Sequence, residues 1–280
     1  MPVKRDPSGR RYVEAEVEVS GTPEEVWEAI ATGPGISSWF VPSNVEEHEG
    51  GAIVSHFSPD GSMDSLSTIT AWDPPRRFSA DSRDDMGPDD PTIATEWIVE
   101  AHSGGTCTVR VVHSWFTSKD DWDHQFEIHT MGWIAFFRIL RVYLAHFRGL
   151  PCAPFQLMGI SAGPRSKAWR ALTGPLGLAK VAVGDRVKAP VDAPPLAGVV
   201  ESVGQSRWPE LLLRLDEPAP GIAHLFPLSM GRQVFLTIRF FLYGEESAAA
   251  APHAESTWQA WIGNHFAAVG GATEDTVLPS

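Results

Sequence analysis

The segment Tyr12-Val-Glu-Ala-Glu-Val-Glu-Val19 is followed after two residues by Thr22-Pro-Glu-Glu-Val-Trp27. The first segment alternates apolar and acidic residues with a period of two, which predicts a strand with one face in water. The second segment has the features of a helix start. Thr22 suits the N-cap position, proline suits the first helical position, and Glu25 completes a capping box. A strand that leads directly into a short helix is therefore expected at the start of the chain.

The chain beyond this helix is predicted to form a sheet and then one long helix. Gly33-Pro34-Gly35 is expected to end the first helix, and a short second helix or turn is expected from Ile36 to Phe40. Turn signals then separate six strand-like segments, which are Ser43–Glu49, Ala52–Phe57, Leu66–Trp72, Phe78–Ser82, Thr92–Ala101 and Thr106–Phe116. A capping box at Ser118–Asp121 predicts a helix that continues to about His146, and its apolar residues step by three and four. This order predicts an antiparallel sheet that curves around one long helix.

Three local phrases resemble a known family. They are Thr22-Pro-Glu-Glu-Val-Trp27, Asp73-Pro-Pro-Arg-Arg-Phe78, and Gly132-Trp133 followed by Leu140 and Tyr143-Leu144. On these phrases, residues 10–148 resemble the START-type lipid-transfer and pollen-allergen (SRPBCC) superfamily, in the branch named after the activator of heat-shock-protein ATPase. The resemblance implies an α+β helix-grip fold with a cavity between sheet and helix. It also implies relatives that carry lipids, cyclise or aromatise polyketides, or sequester reactive natural products.

The second half of the chain repeats phrases of the first. Val26-Trp-Glu-Ala-Ile-Ala-Thr-Gly-Pro34 aligns with Ala168-Trp-Arg-Ala-Leu-Thr-Gly-Pro175, and Met131-Gly-Trp-Ile134 aligns with Gln259-Ala-Trp-Ile262. Strand-like segments lie before and between the aligned phrases, and they are Phe155–Ile160, Ala197–Val203, Glu210–Leu215, Ile222–Leu228 and Gln233–Leu242. We therefore predict two tandem helix-grip copies: a ligand-binding domain over residues 1–150 and a shorter, degenerate domain over residues 151–280. The second cavity is expected to be small or filled, and the two domains are expected to pack on each other.

Charge is distributed unevenly along the chain. There are 22 Lys plus Arg against 35 Asp plus Glu, for a net charge of −13, which disfavours nucleic acid and anionic membrane surfaces as partners. Residues 1–150 hold 12 basic and 24 acidic residues, whereas residues 151–280 hold 10 and 11. Seven of the ten histidines and seven of the eleven tryptophans also lie before residue 150. We therefore expect the functional site in the first half.

The sequence gives no sign of a membrane span or an exported protein. Arg138 and Arg141 interrupt the longest apolar stretch, which is shorter than the roughly 20 residues of a span. The basic N-terminal segment is not followed by the apolar region of a signal peptide. A cytoplasmic location without membrane insertion is expected.

Strand parity and helix periodicity indicate a tryptophan-rich pocket that contains imidazoles. The candidate ligand-binding residues are Trp39, Phe40, His56, Thr95, Trp97, Val111, His113, Trp115, Phe126, His129, Trp133 and Phe137. His113 and His129 are also candidate catalytic acid–base groups because imidazole titrates near neutral pH. The alternative for each is a hydrogen-bonded histidine of the core.

No motif in the sequence points to a cofactor or a metal. There is neither a GxGxxG after a strand nor a GxxxxGK[ST], and His124 and His129 are five residues apart, so they do not share a helix face. The pattern favours binding of a hydrophobic, aromatic or polyketide-like small molecule in the first domain, for transport or sequestration. The alternatives are a cyclase or dehydratase acting on a polyketide-like substrate, and a co-factor of a chaperone ATPase.

Overall fold

The structure, a computed structural model, divides the chain into two compact units, Met1–Leu150 and Pro151–Ser280. It describes residues 3–5, 11–57, 61, 64–82, 92–115, 123–206, 208–230 and 233–267. The side chains of residues 115, 123–131 and 230 are outside this description. Each unit is an antiparallel sheet with a long helix as its last element. This architecture confirms the predicted α+β helix-grip fold in two tandem copies.

The first unit has eight strands and three helices in its described part. In chain order they are β1 (Lys4–Arg5), β2 (Arg11–Ser20), α1 (Pro23–Ala31), α2 (Gly33–Ser37), β3 (Ser43–Val45), β4 (Ala52–His56), β5 (Asp64–Asp73), β6 (Arg77–Ser82), β7 (Ile93–His102), β8 (Thr106–Trp115) and α3 (Asp123–His146). The strand order is β1-β2-β8-β7-β6-β5-β4-β3. The six predicted strands therefore form a meander, as expected, and β2 closes onto its last strand.

Helix α1 begins where the sequence predicts. Thr22 accepts a hydrogen bond from the Glu25 backbone N–H at 3.3 Å, and the Glu25 carboxylate accepts one from the Thr22 N–H at 2.8 Å. This reciprocal pair is the predicted capping box, and it satisfies two N–H groups that a helix start leaves without partners. Helix α1 ends at Ala31, just before Gly33-Pro34-Gly35, as predicted, but the second helix begins at Gly33 and not at the predicted Ile36.

Gly33, Pro34 and Gly35 form the first turn of α2, because Thr32 serves two helices at once. Its hydroxyl donates to the Glu28 carbonyl at 2.8 Å and accepts from the Gly35 N–H at 3.0 Å. One side chain thus satisfies a carbonyl in the last turn of α1 and an N–H in the first turn of α2. Proline is compatible with a first helical turn, so it starts this helix instead of preventing it.

The second unit contains six strands and two helices in its described part. They are β9 (Cys152–Ala162), α4 (Arg165–Thr173), β10 (Arg186–Lys188), β11 (Ala197–Gln205), β12 (Trp208–Glu217), β13 (Gly221–Met230), β14 (Gln233–Tyr243) and α5 (Ser247–His265). The strand order is β10-β11-β12-β13-β14-β9. A core of aliphatic and aromatic side chains joins the strands to both helices, with Phe240 and Trp258 among its largest fully buried members.

The end of α5 is held against β9. Phe266 lies so close to Gly159 that a Cβ on this glycine would stand 2.7 Å from the Phe266 Cβ. The next residue, Ala267, pairs with Ile160 through two backbone hydrogen bonds of 2.9 and 3.2 Å. Gly159 is thus a glycine because two pieces of chain approach each other too closely for a side chain.

The strand predictions differ from the structure mainly at their ends. The first predicted strand, Ser43–Glu49, is observed as the three residues of β3, and β5 begins two residues before its predicted start. β1 and β10 were not expected at all. Both are short edge strands that exist through pairing with β2 and β11. Among the described helices, none has the length and apolar character that a membrane span requires.

Candidate functional site

The candidate site is built on two rows of side chains that cross the first sheet. Hydrogen-bonded pairing sets Trp72 opposite Phe78, Phe78 opposite Trp97, and Trp97 opposite Val111. Two residues further along β7 and β8, Thr95 lies opposite His113. Because side chains two residues apart in a strand point to the same face, both rows belong to one surface.

Helix α3 and the turn after α2 bring further rings to this surface. Trp133 of α3 contacts five other described rings, and the centroid distances are 5.1 Å to Trp97, 5.3 Å to His113, 5.3 Å to Phe40, 5.9 Å to Phe137 and 6.1 Å to Phe136. Phe40 also contacts Phe136 at 4.4 Å and Phe57 at 5.7 Å. We call these residues the aromatic cluster: Phe40, Phe57, Trp97, His113, Trp133, Phe136 and Phe137. Trp133 lies at its centre.

Exposure to solvent varies systematically within the aromatic cluster. Trp97 and Phe137 are buried, at 6% and 2% exposure, and Phe57 is 39% exposed. Phe40 and Trp133 lie between these extremes and are half-buried. In α3, the whole run of residues 132–136 is half-buried, so no side of the helix is completely covered there. A Cβ added at Gly132 would have no atom within 4 Å. Open space therefore adjoins the helix at Gly132.

A polar contact between His113 and Thr95 lies at the aromatic cluster. Nδ1 of His113 and the hydroxyl of Thr95 are 2.8 Å apart, within hydrogen-bonding distance. The hydroxyl can donate or accept, so the bond fixes the orientation of the imidazole and leaves its tautomer open. The ring is tilted by 30° against Trp133. This arrangement places an imidazole with a fixed orientation beside a half-buried indole. Its Nε2 is buried, so proton exchange with a bound molecule would require this edge of the ring to become accessible.

Trp39 occupies a different position from the one expected of a ligand-binding residue. It is 1% exposed, and its indole N–H donates to the Ala29 carbonyl in the last turn of α1 at 2.8 Å. Its ring contacts Trp97 at 6.2 Å. The hydrogen bond satisfies a carbonyl that the helix end leaves without an intrahelical partner. Trp39 thus joins the α1–α2 region to the sheet.

The structure brings together some of the predicted site residues and leaves others apart. Phe40, Thr95, Trp97, His113, Trp133 and Phe137 lie at or beside the aromatic cluster, and Val111 is fully buried opposite Trp97 in the same row. His56 is not among the described contacts of the cluster. Its Nδ1 lies 2.8 Å from Asp64 Oδ2 and its Nε2 lies 3.1 Å from the side-chain nitrogen of Asn44. Trp115, Phe126 and His129 are also predicted site residues, and their side chains lie outside the described part of the structure. The predicted helix start at Ser118 lies outside it as well.

Two members of the aromatic cluster were not predicted as site residues. Neither Phe136 nor Phe57 belongs to the predicted ligand-binding set, and the sequence places Phe57 only at the end of a predicted strand. The available signal was their sequence position: Phe136 is three residues after Trp133, so it lies near it on the helix surface. Phe57 carried no such signal, because its contact with Phe40 depends on how the sheet curves.

A second cluster of polar side chains is buried in the second unit. The Arg239 Nε donates to Gln156 Oε1 at 2.9 Å, and His224 Nε2 lies 3.3 Å from Glu210 Oε2. Burial lowers the pKa of Arg239 to about 10, since the charged form loses its hydration. The His224 and Glu210 side chains are only 5% and 13% exposed. This group is enclosed by protein, so we assign it to structure and not to binding.

No grouping of three or more His, Cys, Asp or Glu side chains suitable for a metal ion is found among the residues that the structure describes. Besides the indole N–H groups of Trp97 and Trp133, the polar side chains described at the aromatic cluster are the His113 imidazole and the Thr95 hydroxyl. This surface can therefore interact with a bound molecule by aromatic stacking, apolar burial and hydrogen bonding. Proton transfer would depend on one histidine, His113.

Comparison with known proteins yields one family. Residues 20–145 match the model of the family described as Activator of Hsp90 ATPase homolog 1-like protein. No curated protein matches the chain. The match covers α1, α2, strands β3 to β8 and nearly all of α3, so it includes the whole aromatic cluster.

Several solved structures resemble the chain at low sequence identity. The di-domain ARO/CYC protein BexL from the BE-7585A biosynthetic pathway is 13% identical, with 92% of this chain and 99% of that chain covered and a TM-score of 0.44. DynU16, from the dynemicin biosynthetic locus, is 14% identical, with 90% and 95% covered and a TM-score of 0.40. The Aha1 dimer from Colwellia psychrerythraea is 17% identical, with 48% and 95% covered and a TM-score of 0.39.

Proposed function

The first unit belongs to the family of Activator of Hsp90 ATPase homolog 1-like proteins, and from this premise we propose that it binds a hydrophobic, aromatic small molecule. The ligand stacks on Trp133 within the aromatic cluster, and the protein carries or sequesters it. Membership of the family does not select this role, because proteins that share a fold differ in the residues of their sites. The proposal rests on the side chains that this chain presents.

The observation that carries the proposal is the partial exposure of Trp133. This indole contacts five described rings, yet it remains half-buried, and open space adjoins α3 at Gly132. Burial of exposed aromatic surface against a bound ring stabilises the complex by about 25 cal/mol per Å² of apolar area. Stacking of the two rings stabilises it further. A half-buried indole among buried rings is therefore a favourable place for an aromatic ligand.

The composition of the cluster favours rings over acyl chains. Trp97, Phe137 and Phe40 surround Trp133 with flat surfaces, at interplanar angles of 85°, 48° and 12°. Flat walls pack closely against a planar ligand, whereas a flexible chain loses conformational entropy when it is ordered between them. A polyketide-like compound with fused rings has the expected shape.

The proposal is tested first on the protein as purified. Native mass spectrometry detects a ligand that co-purifies, and a thermal-shift screen compares aromatic polyketides with lipids, since a ligand of the folded state raises the melting temperature. With a compound that raises it, Trp133→Ala should abolish the quenching of tryptophan fluorescence while the far-UV circular dichroism is retained. The matched control is Trp208→Ala, which removes a 37% exposed indole from the second unit and should leave quenching intact. Full quenching in Trp133→Ala would move the site elsewhere.

A second candidate function is favoured by the Thr95–His113 hydrogen bond. An imidazole held at 2.8 Å by a hydroxyl, beside the proposed stacking surface, is suited to move a proton during cyclisation or dehydration of a polyketide-like substrate. In that case His113→Ala should stop conversion of a bound compound and leave its affinity nearly unchanged. An unchanged rate of conversion would remove His113 from the mechanism.

The family description also allows a role as a co-factor of a chaperone ATPase. We rank this role below ligand binding because it gives no reason for a half-buried indole inside a cluster of rings. An affinity pull-down with the full chain tests it: recovery of a chaperone ATPase, together with no response of Trp133 to any aromatic compound, would reverse the order.

A further inference from the structure

Phe40 holds a position in the aromatic cluster that no other ring shares. Its ring is nearly parallel to that of Trp133, with an interplanar angle of 12° and a centroid distance of 5.3 Å. The other described rings in contact with Trp133 are inclined to it by 30° to 85°. An offset parallel arrangement is the geometry in which an aromatic ligand would stack on an indole. Phe40 therefore makes with Trp133 the contact that the proposed ligand needs.

The backbone around Phe40 is held in place on both sides. The preceding residue, Trp39, is 1% exposed and anchored through its indole N–H. The following residue, Val41, is 4% exposed, and its carbonyl accepts a hydrogen bond from the Ser43 hydroxyl at 3.0 Å. The Phe40 N–H itself donates to the Ile36 carbonyl at 2.9 Å. Any displacement of this ring is thus a rotation of the side chain and requires no movement of the main chain.

The surroundings of the ring provide a direction for that rotation. Phe40 is half-buried and contacts Phe57, which is 39% exposed and is the most exposed ring of the cluster. Trp97 and Phe137, in contrast, are 6% and 2% exposed. Displacing either of these would disrupt the core. Phe40 is the better candidate for displacement, because it is half-buried and borders the exposed Phe57.

We propose that Phe40 is an internal occupant of the ligand site: in the free protein it stacks on Trp133, and the ligand replaces it. This inference rests on the proposed function and adds the class of ligand. When the Phe40 ring moves away, it leaves a flat space over the Trp133 indole that is as thick as one aromatic ring. Such a space fits a planar, fused-ring aromatic compound. Moving Phe40 away from Trp133 costs free energy, so the apparent affinity for the ligand is lower than the affinity of the open site.

The inference predicts an unusual result: removal of an aromatic side chain from the site should strengthen binding. The probe is 1,8-dihydroxyanthraquinone, a neutral planar compound, and its affinity is measured by isothermal titration calorimetry on the full chain. Phe40→Ala should bind it about 2- to 10-fold more tightly than the wild type, the range that corresponds to one aromatic pair. Trp133→Ala should bind it at least that much more weakly. Trp208→Ala, outside the site, should match the wild type.

A second variant and a second probe complete the test. Phe40→Leu keeps most of the apolar volume but removes the planar ring, so it should also bind the anthraquinone more tightly, even where Phe40→Ala does not fold. 1-Dodecanol represents a flexible apolar chain and should gain less than the anthraquinone in both variants.

The outcomes separate the inference from the proposed function. Equal or weaker anthraquinone binding by the folded Phe40 variants, with weaker binding by Trp133→Ala, would overturn the inference and leave the proposed function standing. A gain for dodecanol as large as that for the anthraquinone would overturn the assignment of a planar ligand. Unchanged binding by Trp133→Ala would overturn the proposed function itself.

Discussion

Trp39 and Trp133 both contact Trp97, at 6.2 and 5.1 Å, but their environments differ. The Trp39 ring is 1% exposed and its N–H is committed to the Ala29 carbonyl. The Trp133 ring is half-buried. One indole therefore holds the fold together and the other presents a surface, although both have the same chemistry.

This difference predicts losses of stability of different size for the same substitution. Trp39→Phe should lower the free energy of unfolding by about 1–3 kcal/mol, because the buried carbonyl of Ala29 loses its donor. Trp133→Phe should lower it by about 1 kcal/mol or less, as is usual for a partly exposed position without such a partner. Guanidinium unfolding followed by far-UV circular dichroism measures both. Equal losses would contradict the assignment of a structural role to Trp39.

Strand parity was sufficient to predict that Trp97, Val111 and His113 lie on one side of the sheet. It could not distinguish Trp39 from Trp133, because exposure is decided by packing between elements that are distant in the sequence. The same reason explains the absence of Phe57 from the predicted set and the presence of His56. The position of His56 depends on a cross-strand pairing with Asp64, and alternation along one strand carries no information about that pairing.

At the scale of elements, the α1–α2 junction shows where local rules compete. Gly33-Pro34-Gly35 is typical of a break, and Thr32 before it is typical of a helix start. The structure realises the second, because the 5% exposed Thr32 hydroxyl bonds to both helices. Long elements such as α3 and β8 were predictable from periodicity. The two and three residues of β1 and β10 were not, because so short a segment has no period and forms only against its neighbour.

Thr32 is therefore expected to matter more than an ordinary cap. Thr32→Ala should reduce the free energy of unfolding by about 2 kcal/mol, at the upper end of the range for lost caps, since two buried backbone groups lose their partner. Thr32→Ser keeps the hydroxyl and should recover most of this loss. Thr22→Ala, at the exposed cap of α1, should cost about 1 kcal/mol. Chemical denaturation gives the ranking, and a loss in Thr32→Ala no larger than that in Thr22→Ala would contradict it.

At the scale of the whole molecule, the two units use corresponding helices differently. The space next to Gly132 of α3 is open. The space next to Gly159 of β9 is occupied by Phe266, which directly follows α5. In the second unit, Trp261, which aligns with Trp133, is 7% exposed and stacks on His265 at 4.3 Å. The tandem sequence phrases predicted two copies of one fold. They did not predict which copy leaves its tryptophan accessible, since this depends on residues outside the phrases.

The two glycines should respond in opposite directions to the same added methyl group. Gly159→Ala should destabilise the protein by about 1–3 kcal/mol, because the new Cβ would stand 2.7 Å from the Phe266 Cβ. Gly132→Ala should stabilise it by about 1 kcal/mol, since alanine favours helix and meets no atom within 4 Å. Differential scanning calorimetry of the full chain measures both shifts. A stabilising Gly159→Ala would show that the end of α5 yields to the methyl group.

The spacing of the indoles also has an optical consequence. The rings of Trp39, Trp97 and Trp133 follow one another at 6.2 and 5.1 Å. At such separations, electronic excitation passes between indoles faster than they emit light, so their emission is shared and strongly depolarised. A compound that quenches Trp133 should therefore also quench the emission of Trp97 and Trp39. Binding to the first unit could then be followed by its intrinsic fluorescence without an attached label.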